Sequence, residues 1–193
     1  MTLLREFRVN EKITIVIGGG QRKGETIGNG RASAITYAKE GAKVIVVDNN
    51  LEAAQDTVDE INSIGGFGLA YKADVTKELE IEKMILETQK NFGRIDILHN
   101  NVGISIAGGD SEITQIDSKN FDYILSVNLK SIWQPIIGCK PLSLKRTENS
   151  NALNKLLVSV SAMAGISLAL QSSGSFFKRV APSSREYSVC TRR

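Results

Sequence analysis

The residues of this chain best equipped for chemistry are glycines. Gly18, Gly20, Gly28 and Gly30 lie between a β-branched run, Ile13 to Ile17, and a helical pattern. Lacking a Cβ, they let the backbone turn sharply and approach a bulky anion closely. The helix starting near Gly30 adds free N–H groups and a positive dipole end, a combination suited to a pyrophosphate. A second apolar run, Val44 to Val47, stops at Asp48, eighteen residues after Gly30. Dinucleotide-binding units carry an acid about twenty residues on, where it accepts hydrogen bonds from the adenosine ribose. A carboxylate there repels a 2′-phosphate, so NAD is favoured over NADP. The loop is lengthened by about eight residues, Gln21 to Ile27 and neighbours, against the usual spacing. Arg22 and Lys23 in this insertion can offset the repulsion, which keeps NADP open as the less favoured cofactor. An ordinary strand-end cap is the other reading of Asp48.

The elements that must position these groups alternate strand and helix. After Asp48, the residues Leu51, Ala54, Val58, Ile61 and Ile64 recur at helical spacing, and Gly65-Gly66 closes the helix. Residues Gly68 to Ala73 read as a strand ending at Asp74-Val75. Thr76 is expected to cap a third helix bearing Ile81, Ile85 and Phe92 on one face, with Gly93 at its end. Ile95 to Leu98 reads as a fourth strand running into Asn100-Asn101-Val102-Gly103. A small, polar stretch from Ser105 to Thr114 reads as a pocket-bordering loop. A helix from about Asp117 to Trp133 is expected to turn Phe121, Ile124, Leu125 and Leu129 inward, with Asn128 near the same face. Pro135 and Pro141 predict a kinked or short helix through Ile136 to Leu144. Leu156 to Val160 reads as a fifth strand, ending at Ser161. The fold class expected is α/β: a Rossmann-type, doubly wound parallel sheet in three α/β/α layers. Its crevice lies at the carboxyl ends of the strands, where the glycine loop, Asp48, Asp74 and Asn101 all fall.

Composition narrows the function classes. A chain of 193 residues with 41% apolar content is one domain with a core. The net charge of +3 is unevenly placed, because residues 178–193 hold five basic groups and one acid, leaving the remainder at −1. The body is therefore not a nucleic-acid binder by charge. Cys139 and Cys190 are far apart and form no C-x-x-C pair, which argues against a metal site and fits a reducing, cytoplasmic compartment. The start lacks the apolar segment of a signal peptide, and no stretch has the roughly 20 apolar residues needed to span a bilayer. His99, the only histidine, sits at a strand end without companion ligands and reads as a hydrogen-bonded strand residue.

The motifs resemble those of the short-chain dehydrogenase/reductase family over about residues 12–166. The matching pieces are Ile27-Gly28-Asn29-Gly30-Arg31-Ala32, Asp48, Asp74-Val75, Asn100-Asn101-Val102-Gly103, Val127-Asn128-Leu129 and Val160-Ser161-Ala162-Met163-Ala164-Gly165. The resemblance implies cofactor contacts from the glycine loop, Asn29 included, and from Asp48. It implies adenine contacts from Asp74 and Val75, and sheet support beside the cofactor from Asn101, Val102 and Gly103. A proton-relay water would be held by Asn128. The implied chemistry is hydride transfer between NAD(P) and a secondary alcohol or ketone.

That chemistry also calls for a Ser beside the substrate oxygen and a Tyr-x-x-x-Lys pair whose Lys lowers the phenol's pKa. Ser161 is the candidate Ser, one residue early for the family position, which is Ala162. No Tyr-x-x-x-Lys occurs in the chain, and Tyr187 has Thr191 four residues on. From about Gln171 no periodicity remains, so residues 1–170 read as the dinucleotide-binding domain and 171–193 as an irregular basic tail on a truncated or altered end. A sheet incomplete at that edge exposes unpaired backbone groups on the fifth strand, predicting association there or a homo-oligomer. The alternative to an active oxidoreductase is a catalytically silent dinucleotide-binding module or fragment.

Overall fold

A computed structural model describes residues 9–21, 24, 26–104, 114–144 and 157–160 of the chain. Its centre is a strand with no exposed side: β1 (Ile13–Ile17) is buried at every position. Such a strand can be neither a half-solvated antiparallel strand nor an edge, and needs apolar cover on both faces. The cover comes from alternation. Ile13, Ile15 and Ile17 point into one core with Ile45 and Val47 of β2 (Lys43–Asp48) and Leu98 of β4 (Ile97–Asn100). Helix α3 (Glu78–Phe92) closes this face with Ile81, Met84 and Ile85. Val16 points the other way, with Val44, Val46 and Ile97, against α1 (Asn29–Lys39) and α2 (Leu51–Ser63). Each fully buried Ile or Val contributes about 1.5–3 kcal/mol relative to exposure, which is why the pattern outweighs loop insertions and cap defects elsewhere.

The sheet is wholly parallel, in the order β3-β2-β1-β4-β5, with β3 at Phe67–Lys72 and β5 at Leu157–Val160. The chain winds outward from β1 to β3, then returns to place β4 on the other side of β1. The direction reverses between β1 and β4, and that switch point leaves a crevice beyond their carboxyl ends. Register holds it level: Ile17 pairs with Val47 on one side and with Asn100 on the other. The expected Rossmann-type architecture is thus the observed one, and β5 is the outermost described strand on its side. Residues 161–193, and with them the expected tail, lie outside the described residues.

Several expectations are corrected. The helix foreseen over residues 117–133 is two helices, α4 (Ser118–Asn128) and α5 (Lys130–Leu144). Helix α5 starts a fresh turn, with the Ile132 N–H donating to Leu129 O at 3.1 Å, and runs through both prolines. Pro135 lacks the N–H that would bond Ser131 O, but burial of Ser131, Gln134 and Cys139 against the body outweighs that loss. Phe121, Leu125 and Leu129 do not turn inward; they are exposed, and of α4 only Val127 is buried. Among the described residues the main neighbour of α4 is α5 rather than the sheet, so most of its apolar stripe lies away from the strands. On α2 the inner face is Ala53, Ala54, Thr57, Val58 and Ile61, with Leu51 and Ile64 exposed. Both C-terminal glycines act as expected, Gly65 at φ 79° and Gly93 at φ 73°. The strand expected at 68–73 lies one residue earlier, and that expected at 95–98 lies two residues later.

Candidate cofactor site

The crevice is built by a close approach that only glycine permits. The first turn of α1 rests on the end of β1 so tightly that a Cβ on Gly30 would stand 1.9 Å from Gly18 O. Gly18 itself has φ 75°, and a Cβ there would meet Val102 at 2.9 Å. The Asn101 side chain donates from Nδ2 to Gly18 O at 3.2 Å, while the Asn101 N–H donates to Ile17 O at 2.9 Å. Gly18, Gly30, Asn101 and Val102 therefore meet at the switch point, where the β1 and β4 ends are stitched to the helix.

Asp48 closes the adjoining wall. Its Oδ2 accepts from the Gly20 N–H at 3.1 Å and its Oδ1 from the Asn50 N–H at 3.0 Å. A Cβ on Gly20 would stand 2.7 Å from that carboxylate, so the loop passes directly over it. Each carboxylate oxygen has a second lone pair. The group is thus oriented by the chain and still able to accept from a diol.

The N-terminus of α1 has no side-chain cap. Its N-cap is Gly28, no side chain caps it, and its first turn carries no acid. The Ala32 N–H is the first to find the Gly28 carbonyl. The amides of residues 29–31 precede it and have no intrahelical partner. Together with the positive dipole end these donors lie beside the Gly18 turn and one strand from Asp48.

Asp74 and Val75 follow β3, whose end is tied to β2 by the Ala73 N–H donating to Asp48 O at 3.0 Å. Asp74 Oδ1 accepts from the N–H and hydroxyl of Thr76 at 2.9 and 2.7 Å. Thr76 thus braces Asp74 instead of capping α3, whose N-cap is Lys77 with no side-chain bond. Glu80 accepts from the Asp74 N–H, and this bond, then Lys77, holds its carboxyl below the usual range. Val75 is buried with its side chain in the core.

Asn128 binds the backbone of Ile104 with both ends of its amide, accepting from the N–H and donating to the carbonyl at 2.8 Å each. It therefore fixes the chain that leaves Gly103 for the crevice rim. Ser161 lies outside the described residues. His99 is a buried strand residue whose Nδ1 lies 3.3 Å from the Tyr37 hydroxyl, and burial lowers its pKa to about 4. Among the described residues no cluster of three or more His, Cys, Asp or Glu could hold a metal, and no helix is long and apolar enough to cross a membrane.

Three supports of the site were not foreseen from the sequence. Gly19 is buried against Val46, and its carbonyl accepts from the Thr57 hydroxyl at 2.9 Å. Gln21 bonds the helix start (below), and Asn50 caps α2 beside Asp48. Only Asn50 carried a local signal, an Asn immediately before a helical pattern.

The fold and the crevice define a doubly wound α/β domain of the kind that holds dinucleotides at its switch point. The chain belongs to the short-chain dehydrogenase family, whose family model matches residues 12–166. It is 31% identical over 159 residues to a 3beta-hydroxysteroid dehydrogenase of Mediterraneibacter gnavus, covering 82% of this chain and 52% of that protein. It is 33% identical over 121 residues to a hydroxynaphthalene reductase-like protein Arp2 of Metarhizium brunneum, covering 62% of this chain and 42% of that protein. Among solved structures it resembles a 7 alpha-hydroxysteroid dehydrogenase complexed with NADH and 7-oxo glycochenodeoxycholic acid. That match has 25% identity and a TM-score of 0.66, covering 80% of this chain and 71% of that one. The chain spans about half the length of the curated relatives it matches.

Proposed function

We propose that this chain binds NAD in the crevice between β1 and β4 and serves an oxidoreductase that interconverts a secondary alcohol and a ketone. The observation that carries the reading is the open N-terminus of α1, packed through Gly30 on Gly18 O with the Asp48 carboxylate beside it. The residues present fit the cofactor. The amides of 29–31 would meet the diphosphate, Asp48 the adenosine ribose, and the Asp74-Val75 backbone the adenine edge. A carboxylate at position 48 beside the ribose disfavours a 2′-phosphate, which favours NAD over NADP. Bound nicotinamide supplies the hydride donor or acceptor; the chain's own part is to orient it and hold the crevice rim through Asn128. Kinship to a 3beta-hydroxysteroid dehydrogenase and to a hydroxynaphthalene reductase-like protein supports an alcohol or ketone as substrate.

A second reading has its own support. The sequence holds four tyrosines and none has a lysine four residues on, so the pair that would move the proton is missing from these residues. On that reading the chain binds the dinucleotide without turnover. Association through β5 or as a homo-oligomer remains part of the proposal. Titration with NADH, followed by nicotinamide fluorescence and calorimetry, and then a panel of secondary alcohols, separates the readings. Binding with turnover supports the first and binding alone the second. No heat from NADH or NADPH with a cooperatively melting preparation sinks both.

A further inference from the structure

The lengthened glycine loop brings the chain a problem that a side chain solves. Between Gly20, which lies over Asp48, and Gly28, which caps α1, seven residues intervene, and a loop of that length has many ways to run. Gln21 is the first of them. Its Oε1 accepts from the Gly28 N–H at 2.8 Å, and its Nε2 donates to Thr26 O at 3.0 Å. One planar amide thus ties the beginning of the insertion to its end. The partners fix the orientation of the amide, since a backbone N–H can only donate and a carbonyl only accept. Nothing else of that length fits the two bonds together. Glu would set an acceptor against Thr26 O, Lys and Arg have no acceptor for the Gly28 N–H, and Asn is a methylene shorter.

Occupying the Gly28 N–H leaves the next three amides of α1 clear, and a Cβ on Gly28 would find only Gln21 Oε1, at 3.7 Å. The clasp therefore uses none of the amides of residues 29–31 and does not compete with an anion for them. From this we infer that Gln21 is a positioning residue for the dinucleotide. It holds the enlarged loop so that the α1 amides and the Gly18 turn converge on one diphosphate. The inference rests on the reading of the crevice as a dinucleotide site and adds a residue to it.

The test uses the whole chain and three probes: NADH, ADP-ribose and adenosine. Gln21→Ala weakens NADH and ADP-ribose by about tenfold, the loss expected for two hydrogen bonds that order a loop, with adenosine affinity unchanged and the chain still melting cooperatively. Gln21→Glu, which keeps one acceptor and loses the donor, weakens them as well. Deleting residues 22–27 joins Gln21 to Gly28 directly and removes what the clasp must close, so Gln21→Ala in that background costs less than about twofold. Equal NADH affinity for wild type and Gln21→Ala overturns the inference, as does an undiminished loss in the shortened chain. Amide exchange at Gly28 reads the clasp with no cofactor present: protected in wild type, unprotected in Gln21→Ala. If wild type fails to bind NADH, the cofactor reading falls and the positioning role falls with it, while Gly28 protection shows whether the clasp itself stands.

Discussion

Helices α1 and α2 lie side by side on one face of the sheet and begin in opposite ways. Asn50 closes α2 by accepting from the N–H groups of Glu52 and Ala53, and Glu52 adds a negative charge to its first turn. Helix α1 has a glycine cap, no side-chain bond and no acid in its first turn. An uncapped helix end forgoes about 1 kcal/mol, and a chain that spends an Asn on α2 has a local means of avoiding that loss. Helix α3 also lacks a side-chain cap but carries Glu78 and Glu80 in its first turn, so of these three helices only α1 starts with neither a cap bond nor an acid. A similar contrast separates α1 from α4, whose Asp117 cap accepts from the Asn120 N–H.

The contrast can be broken most severely at Gly30. Gly30→Ala drives a Cβ into Gly18 O, so the α1 terminus must leave the end of β1. We expect NADH binding to fall by at least about a hundredfold and stability by about 3 kcal/mol, read by calorimetry and urea unfolding. An unchanged affinity would mean that the α1 terminus is not the anion site. By comparison Gly65→Ala, at the exposed C-terminal end of α2, meets no atom within 4 Å and costs only the strain of a positive φ, about 1 kcal/mol, with binding intact.

Acid sharpens the comparison from beneath, because Tyr37 of α1 meets His99 of β4 and α2 has no such partner. Burial holds the imidazole neutral, with a pKa of about 4 against 6.5 when unfolded. A base with a depressed folded pKa stabilises fully above pH 6.5 and loses that contribution as pH falls toward 4. The loss approaches about 3 kcal/mol. Amide protection in α1 should fall more than in α2 over that window, and His99→Gln should flatten the urea midpoint against pH. Equal loosening of both helices would dissociate α1 from His99.

Gly28→Asp offers the uncapped end a cap of its own. The residue has φ −72° and ψ 151°, already the geometry of an N-cap, so a carboxylate there can reach the free amides. The expected outcome is a gain of about 1 kcal/mol in stability together with at least tenfold weaker NADH binding. A gain without loss of binding would contradict the assignment of those amides to the cofactor. The smallest effect belongs to Asn50→Ala, which removes the α2 cap at about 1 kcal/mol and leaves NADH affinity within twofold, since Asp48 is bonded by the backbone N–H of residue 50 and not by its side chain.

Much of this is legible in the sequence. Unbroken β-branched runs at Ile13–Ile17 and Val44–Val47 announce strands covered on both faces, because no half-solvated strand tolerates them. Gly65 and Gly93 mark helix ends, because αL backbone excludes most side chains. The strand pattern puts Asp48 at the end of β2 and Asn101 after β4, and in the structure Asp48 accepts from Gly20 while Asn101 donates to Gly18 O. The inward face expected for α4 is exposed, since periodicity shows that a stripe exists and not what it packs against. Phe121 and Leu125 sit on a stripe whose neighbouring helix covers little of it.

The sequence by itself determined the winding of the domain and the order in which its loops reach the crevice, because β-branching, helical spacing and glycine act locally and over short range. Tertiary structure alone decided which groups touch. Gly30 meets Gly18 O, Thr57 holds Gly19, and Asp48 is shared by Gly20 and Asn50, through pairings that span up to 38 residues. Such contacts are set by the register of parallel strands and the seating of helices on them, and no window of neighbouring residues contains that information.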